Sequence, residues 1–257
     1  MTGEATSPVL TETRGAVLII TLNRPEAKNA VNAALAEGMA AAIDRLDSDD
    51  ALTVGIITGA GGTFCSGMDL KAFLRGERPS IPGRGFAGLT EALPKKPLIA
   101  AVDGYALAGG MEVALSCDLI VANRGAKFGI PEVKRGLTAA AGGLIRMPRQ
   151  MPVRIAMEYA LTGEFFTAER AHQLGIINRL TEGPALEAAL ELAAAIAANG
   201  PLAVRASKQV IAESRLWPED QMWARQQEIV GPIFTSEDAR EGATAFAEKR
   251  APNWRGR

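Results

Sequence analysis

The sequence predicts an α/β fold followed by a helical C-terminal region. Four short apolar stretches in the first half, residues 17–22, 54–58, 98–102 and 119–122, have the length and β-rich composition of buried strands. Glycine-rich loops and helical patterns separate them, an alternation typical of α/β proteins. Such folds place their functional groups in the loops beyond the strand ends, so we expect a site there.

The first strand is followed by a turn and then by a helix. Residues 17–22 end at the turn formed around Pro25, and Asn32 is a residue type that caps helices. Apolar residues then recur at helical spacing, namely Leu35, Met39, Ile43 and Leu46. The second and third strands each run into a glycine-rich loop, and the fourth runs into the stretch KFGIPE.

Residues 71–96 interrupt this alternation. They are rich in glycine, proline and charge, with Phe73, Phe86 and Leu89 interspersed. A long irregular insertion is usually a lid or a binding loop, or it is partly disordered. We therefore expect a lid or insertion on the substrate side of the site.

The character of the chain changes near Pro184. Four segments with helical composition follow, separated by glycine or proline, up to residue 257. This pattern predicts a core domain over residues 1–183 and a helical region over residues 184–257.

Composition excludes several classes of function. The 257 residues carry 28 basic and 29 acidic side chains, so a nucleic-acid partner is not expected. There is no apolar signal core and no uninterrupted membrane-length stretch, which favours a cytoplasmic protein without a membrane partner. We interpret Cys65 and Cys117 as small buried hydrophobic residues. The single histidine, His172, excludes a multi-histidine metal site.

Two glutamates are candidates for chemistry. Glu112 lies in the apolar run ALAGGMEVALSCDL after a glycine pair, where a carboxyl is costly unless it is paired or functional. Glu132 follows Pro131 in KFGIPEVKRG and is predicted at the end of a short strand. A structural ion pair for the first and a solvated surface charge for the second are the alternatives.

Two glycine-rich turns are candidates for binding negative charge. The loop TGAGGTFCSGMDL, residues 58–70, matches neither a phosphate loop nor a nucleophile elbow. Its turn presents a backbone amide, and Gly109 lies at a helix start where amides are unpaired. The amides of Ser66 and Gly109 could together form an oxyanion hole, and two unrelated tight turns are the alternative.

Five motifs in order then carry a resemblance. FCSGMDL (64–70), GYALAGGMEVALSCDLIVA (104–122), FGIPEVKRGL (128–137), LTGEFFTAERAHQLGIINRL (161–180) and EGATAFAEKR (241–250) resemble the crotonase, or enoyl-CoA hydratase/isomerase, superfamily. The resemblance implies a spiral of β-β-α units followed by a helical trimerisation region. It also implies a homotrimer or a homohexamer built from two trimers.

The resemblance assigns roles residue by residue. It implies that Glu112 and Glu132 are the catalytic pair and that the amides of Ser66 and Gly109 form the oxyanion hole. The implied contacts with substrate or coenzyme A are Lys28, Ser66, Met68, Asp69, Leu70, Gly110, Phe246 and Lys249. Coenzyme A is part of the substrate in this family, so no separate cofactor and no metal are implied.

The activity implied by two retained glutamates is the hydration of trans-2-enoyl-CoA to 3-hydroxyacyl-CoA. Three positions depart from the family pattern: serine at position 66, which leaves the amide in place, alanine at position 108, and GLTAAAGG (136–143) without the usual proline. The last, with LIRMPRQMP, resembles the carnitinyl-CoA dehydratase branch. Carnitinyl-CoA dehydration, double-bond isomerisation and non-catalytic acyl-CoA binding are the alternative functions.

Overall fold

The computed structural model describes residues 7–257, and strands and helices alternate along them. The strands are β1 (Val9–Arg14), β2 (Val17–Leu22), β3 (Val54–Gly59), β4 (Ser80–Ile81), β5 (Gly85–Phe86), β6 (Leu98–Val102), β7 (Tyr105–Leu107), β8 (Leu119–Asn123), β9 (Lys127–Gly129), β10 (Phe166–Thr167) and β11 (Arg179–Thr181). The helices are α1 (Ala33–Ser48), α2 (Leu70–Leu74), α3 (Gly109–Ser116), α4 (Gly143–Gln150), α5 (Val153–Thr162), α6 (Ala168–Gln173), α7 (Ala185–Ala197), α8 (Pro201–Glu213), α9 (Met222–Val230) and α10 (Glu237–Glu248).

The main sheet has six strands in the order β1-β2-β3-β6-β8-β11. Strand β1 is antiparallel to β2, and every other neighbouring pair is parallel. The four strands predicted from sequence are confirmed as its centre. They are almost continuously apolar because a parallel sheet is covered on both faces.

A smaller sheet stacks the second strand of each repeat. Its order is β10-β9-β7, and an isolated bridge between Cys65 and Ala106 extends it toward the preceding repeat. A further bridge joins Val31 to Met68. Each turn of the chain thus places one strand in the main sheet and one short pairing in the smaller sheet, and most then form a helix. This is the spiral of β-β-α units implied by the resemblance.

Helix α1 forms as its sequence pattern predicts. The Asn32 side chain accepts a hydrogen bond from the Leu35 amide at 3.0 Å, which caps the helix. The four residues at helical spacing, Leu35, Met39, Ile43 and Leu46, are all buried. Their burial fixes α1 against the main sheet, so the loop before it, which carries Lys28, has a rigid end.

The segment 71–96 is more ordered than its composition suggests. It contains the hairpin of β4 and β5, and residues 85–90 are all buried. Phe86 and Leu89 belong to the hydrophobic core, so the alternative of partial disorder does not fit residues 85–90. Their apolar side chains outweigh the surrounding polar composition because each removes a large apolar area from water.

The C-terminal region is helical, as predicted. Helix α7 packs on the main sheet through Ala185, Ala189 and Ala193. The later helices leave large apolar side chains exposed, including Trp223, Phe234 and Phe246. No single helix in residues 7–257 is long and apolar enough to cross a membrane. One pair of helices, α7 and Pro201–Leu216, has the required length and composition only when the two are taken together, and they are bent by 108°.

Candidate active site

A cavity of about 1010 Å³ opens where the loops after the strands converge. Eight of the residues predicted for the site line it: Lys28, Ser66, Met68, Asp69, Leu70, Gly109, Glu112 and Glu132. They come from four separate stretches of the chain that the spiral brings together. The cavity is large enough for an extended organic ligand.

Glu112 is held by backbone amides. It lies in the first turn of α3, is 3% exposed, and its Oε1 accepts a hydrogen bond from the Gly143 amide at 2.8 Å. Within the described residues no cation lies within 4.0 Å of it, which removes the structural ion pair as an explanation. Burial raises the pKa of Glu112, while the amides of Gly143 and Ala141 and the charge of Arg146 oppose that rise.

Glu132 has the opposite surroundings. It lies in the 3₁₀ turn Pro131–Arg135 just after β9, and its Oε2 is buried without a hydrogen-bond partner in the part of the chain that the structure describes. Burial, and then the nearby charge of Glu112, raise the pKa of Glu132 to about 7. Neighbouring Lys134 pairs instead with Glu164 at 2.6 Å, so Glu132 is not the solvated surface charge considered above.

The two carboxyls therefore differ in what acts on them. At Glu112 two amides and the charge of Arg146 oppose the rise in pKa that burial causes, whereas at Glu132 the charge of Glu112 adds to that rise. Two carboxyls whose environments separate them in this way suit one base and one acid.

The structure corrects one half of the predicted oxyanion hole. The amide of Ser66 donates a hydrogen bond to the Lys28 carbonyl at 3.1 Å, so it is not free to bind a ligand. The Gly67 carbonyl accepts from the Val31 amide at 2.8 Å. In a trans peptide the next N–H points the opposite way, so the Met68 amide points away from Val31. It has no acceptor among residues 7–257.

The Met68 amide lies beside the start of α3. A Cβ on Gly67 would come within 2.7 Å of the Ala108 Cβ and 3.2 Å of the Gly109 nitrogen, and Gly67 has φ +100°. Only glycine permits that approach and that backbone conformation. Gly109, at the first position of α3, likewise has no acceptor for its amide in the described structure.

Ala108 stores strain at this point. It precedes α3 with φ +52° and ψ −128°, a region in which residues with a Cβ are rare and which costs about 1–3 kcal/mol. Its amide donates to the Gly129 carbonyl at 2.9 Å, which helps to hold the conformation. The Phe86 ring covers Gly109 on the other side, since a Cβ there would lie 2.5 Å from the ring. The Gly109 amide is thus fixed from both sides.

The rim of the cavity is basic and aromatic. The Lys28 ammonium lies 5.6 Å from the centre of the Tyr105 ring, and both residues line the cavity. Arg24 pairs with Asp69 at 2.9 Å, which ties the loop of Lys28 to the loop of Met68. The sequence patterns did not single out Arg24 or Tyr105, because neither belongs to a local chemical motif.

Three predicted contacts lie outside this cavity. Gly110 is buried against the Cys65 carbonyl, where a Cβ would approach to 2.2 Å, so its role is close packing of two backbones. Phe246 is 88% exposed on α10, and Lys249 follows at the end of that helix. Across residues 7–257 no three His, Cys, Asp or Glu side chains are grouped so that they could hold a metal ion.

Comparisons with known proteins agree with this geometry. The sequence model of the enoyl-CoA hydratase/isomerase family matches residues 12–257. The chain is 44% identical to the enoyl-CoA hydratase EchA19 of Mycobacterium tuberculosis, over all of this chain and 99% of that protein. It is 43% identical to a carnitinyl-CoA dehydratase of Proteus mirabilis, over 95% and 97% of the two chains. A crystal structure of an enoyl-CoA hydratase from Mycobacterium tuberculosis superposes with a TM-score of 0.96 at 61% identity, covering 98% and 100%.

Proposed function

This chain belongs to the enoyl-CoA hydratase/isomerase family, and we propose that it is an enoyl-CoA hydratase. It would add water across the double bond of a trans-2-enoyl-CoA to give a 3-hydroxyacyl-CoA, and catalyse the reverse dehydration. One observation carries the proposal: two buried carboxyls, of which Glu132 has its pKa raised to about 7, line one cavity with two amides that have no acceptor among residues 7–257. Addition of water needs such a base, acid and anion site together.

The amides of Met68 and Gly109 would hold the thioester oxygen. As water adds to C3, negative charge moves from the double bond onto this oxygen, giving an enolate. Fixed amides aimed at that charge stabilise it, and each such donor contributes roughly 10²–10³ in rate. The positive end of α3 acts in the same direction because Gly109 is its first residue.

The two glutamates would move the protons. Glu112, ionised, takes one proton from the attacking water while the water oxygen bonds to C3. Glu132, protonated, gives its proton to C2, so that one molecule of water has been added in total. A proton passing from Glu112 back to Glu132 through a second water restores both groups. The raised pKa of Glu132 supports the acid role.

A panel of acyl-CoA esters tests this assignment. Loss of the enoyl absorbance with formation of 3-hydroxyacyl-CoA from short and long trans-2-enoyl-CoA esters is the expected result. A shifted double bond without change in water content would instead identify an isomerase. Saturable binding without turnover of any ester would identify a non-catalytic binder.

Carnitinyl-CoA dehydration is the second candidate. It is supported by the 43% identity to the Proteus mirabilis enzyme and by Glu91, a carboxylate in the cavity wall that makes no ion pair within the described residues. A carboxylate there suits a cationic acyl group. If carnitinyl-CoA is a substrate, Glu91→Gln should lower its kcat/KM and leave that of an uncharged enoyl-CoA unchanged.

The segment 71–96 would set acyl preference. Phe73 lines the cavity, whereas Phe86 is also packed on Gly109. Phe73→Ala should therefore change the ratio of kcat/KM between short and long acyl chains. Phe86→Ala should lower kcat for all chains because it loosens the Gly109 amide.

The assembly would be a homotrimer or a homohexamer. The exposed apolar side chains of the C-terminal helices, among them Trp223 and Phe234, support burial against another copy. Phe246 and Lys249 would then reach coenzyme A on a neighbouring subunit. A mass of three or six 27.0 kDa chains in analytical ultracentrifugation is expected, and a monomer would contradict it. Lys249→Ala should raise KM, spare kcat and weaken the salt dependence of binding.

A further inference from the structure

Arg146 lies beside the carboxyl pair without lining the cavity. Its guanidinium is half-buried on α4, a costly position for a cation, and no carboxylate lies within 4.0 Å of it in the described residues. Burial lowers the pKa of Arg146, and the nearby charge of Glu112 is the largest influence that opposes this. The burial of this cation without an ion-pair partner therefore calls for a functional or structural explanation.

Its hydrogen bonds tie two walls of the site together. Nη2 donates to the Thr90 carbonyl at 2.6 Å, and Nη1 donates to the Ala141 carbonyl at 3.3 Å. A Cβ on Gly142 would lie 2.1 Å from Nη1, so the loop approaches the guanidinium as closely as glycine allows. The planar guanidinium can bind two carbonyls at once, which an ammonium does less well.

The loop that Arg146 holds is the one that holds Glu112. The amides of Ala141 and Gly143, on either side of Gly142, both face the Glu112 carboxylate. Thr90 belongs to the buried stretch 85–90 whose Phe86 ring covers Gly109. One side chain thus links the amides around Glu112 to the wall that fixes the Gly109 amide.

We propose that Arg146 is the positioning residue of Glu112. It fastens the 141–143 loop against the carboxylate and supplies positive charge that keeps Glu112 ionised while Glu132 holds a proton. This inference rests on the proposed base role of Glu112.

The sign of the electrostatic effect follows from the charges around Glu112. Arg146 from α4 and Glu132 from the turn after β9 face it, while Arg149 and the buried Cys117 thiol lie around Arg146. Removing the Arg146 charge takes away a cation that lowers the pKa of Glu112. The pKa of Glu112 should rise, so the acid limb of kcat/KM should move to higher pH.

Two substitutions separate the charge of Arg146 from its hydrogen bonds. Arg146→Gln removes the charge and should lower kcat at least about tenfold, with the acid limb moved upward by about 0.5–1 pH unit and KM within about threefold. Arg146→Lys keeps the charge and should lower kcat with the acid limb in place. The control Arg149→Gln, on the exposed side of the same helix, should match the wild type in both readouts.

Several outcomes would overturn the proposal. Wild-type kcat in Arg146→Lys would show that the paired hydrogen bonds do not position Glu112. An unmoved acid limb in a folded Arg146→Gln would show that the charge of Arg146 does not act on Glu112, and either result would overturn the proposal. If Arg146→Gln does not fold, the kcat of Arg146→Lys decides. The limb can be measured on any acyl-CoA that the enzyme turns over, and infrared difference spectra of the protonated carboxyl report Glu112 without turnover. A wrong choice of substrate class therefore does not mask the result.

Discussion

Two walls of the cavity carry the proposed functional groups. The carboxyl wall uses side chains, and the amide wall uses the backbone. One wall presents two side chains, Glu112 and Glu132, whose protonation is set by their surroundings. The other presents two backbone amides, of Met68 and Gly109, whose direction is set by hydrogen bonds elsewhere in the peptide chain. The first wall is encoded by residue type, and the second by conformation. Substitutions that remove only one kind of feature test whether both are needed.

The largest effect is expected from the carboxyl wall. Either Glu112→Gln or Glu132→Gln should cut hydration at least roughly 10²-fold, because the amide keeps the size and cannot exchange the proton. If the two groups act as a unit in the same addition, as proposed, the double variant should be far less impaired than the product of the single losses. Steady-state kinetics and acyl-CoA binding separate turnover from affinity. The control is Glu164→Gln, which removes an exposed carboxyl that pairs with Lys134 in the turn of Glu132. This variant should stay near wild type.

The amide wall can be broken without touching a polar side chain. Gly67→Ala should lower kcat roughly 10–100-fold, because the new Cβ meets Ala108 and the φ of +100° is strained, so that the Met68 amide moves. Gly62→Ala is a matched control, since Gly62 has φ +72° but nothing within 4 Å of its Cβ position. Equal losses of activity in the two variants would mean that strain alone, and not amide position, is responsible.

The difference between the two carboxyls should appear in the pH profile. In the proposed mechanism Glu132 must be protonated for hydration. Because its pKa is raised to about 7, kcat/KM should fall about tenfold per pH unit above that value. The residual activity of Glu132→Gln should lack this alkaline limb. A limb that persists in that variant would assign it to another group.

Stability offers a measurement that does not depend on substrate. The Glu132 carboxyl loses its proton near its ordinary pKa of 4.5 in the unfolded chain and near 7 in the folded protein, so folded-state stability falls as pH rises between these values. Glu132→Gln should therefore raise the free energy of unfolding at pH 8 by about 1–2 kcal/mol, after allowance for partial solvent exposure. Urea unfolding at pH 4 should show no such gain. A gain of equal size at both pH values would contradict the titration.

The smallest effect is expected at Ser66. Its amide donates to the Lys28 carbonyl, and its hydroxyl reaches only the Ala27 carbonyl at 3.4 Å. Ser66→Ala keeps the amide and removes only the hydroxyl, so kcat and KM should stay within about threefold of wild type. A large loss of kcat would show that the Ser66 hydroxyl takes part in binding or catalysis.

The sequence by itself determined the strands, helix α1, the C-terminal helices and the two carboxyls. Hydrophobic periodicity follows from the geometry of each element, so strands such as residues 98–102 can be predicted from their own residues alone. A carboxyl in an apolar run is also recognisable from sequence, because burying a charge is costly, and this identified Glu112. The resemblance carried by the five motifs implied the spiral of β-β-α units.

Only the tertiary structure decided the rest. Phe86 and Leu89 lie in a polar-looking segment, and their burial depends on surfaces contributed by other repeats. The protonation of Glu132 depends on burial and on Glu112 across the cavity. The Lys28 carbonyl takes the amide of Ser66, and the Val31 amide takes the Gly67 carbonyl, so the next amide, that of Met68, is left free within the described structure. These pairings form only when the two loops meet in the folded chain. Residue types do not encode amide direction, because every residue other than proline carries the same N–H and its hydrogen bonds fix where it points.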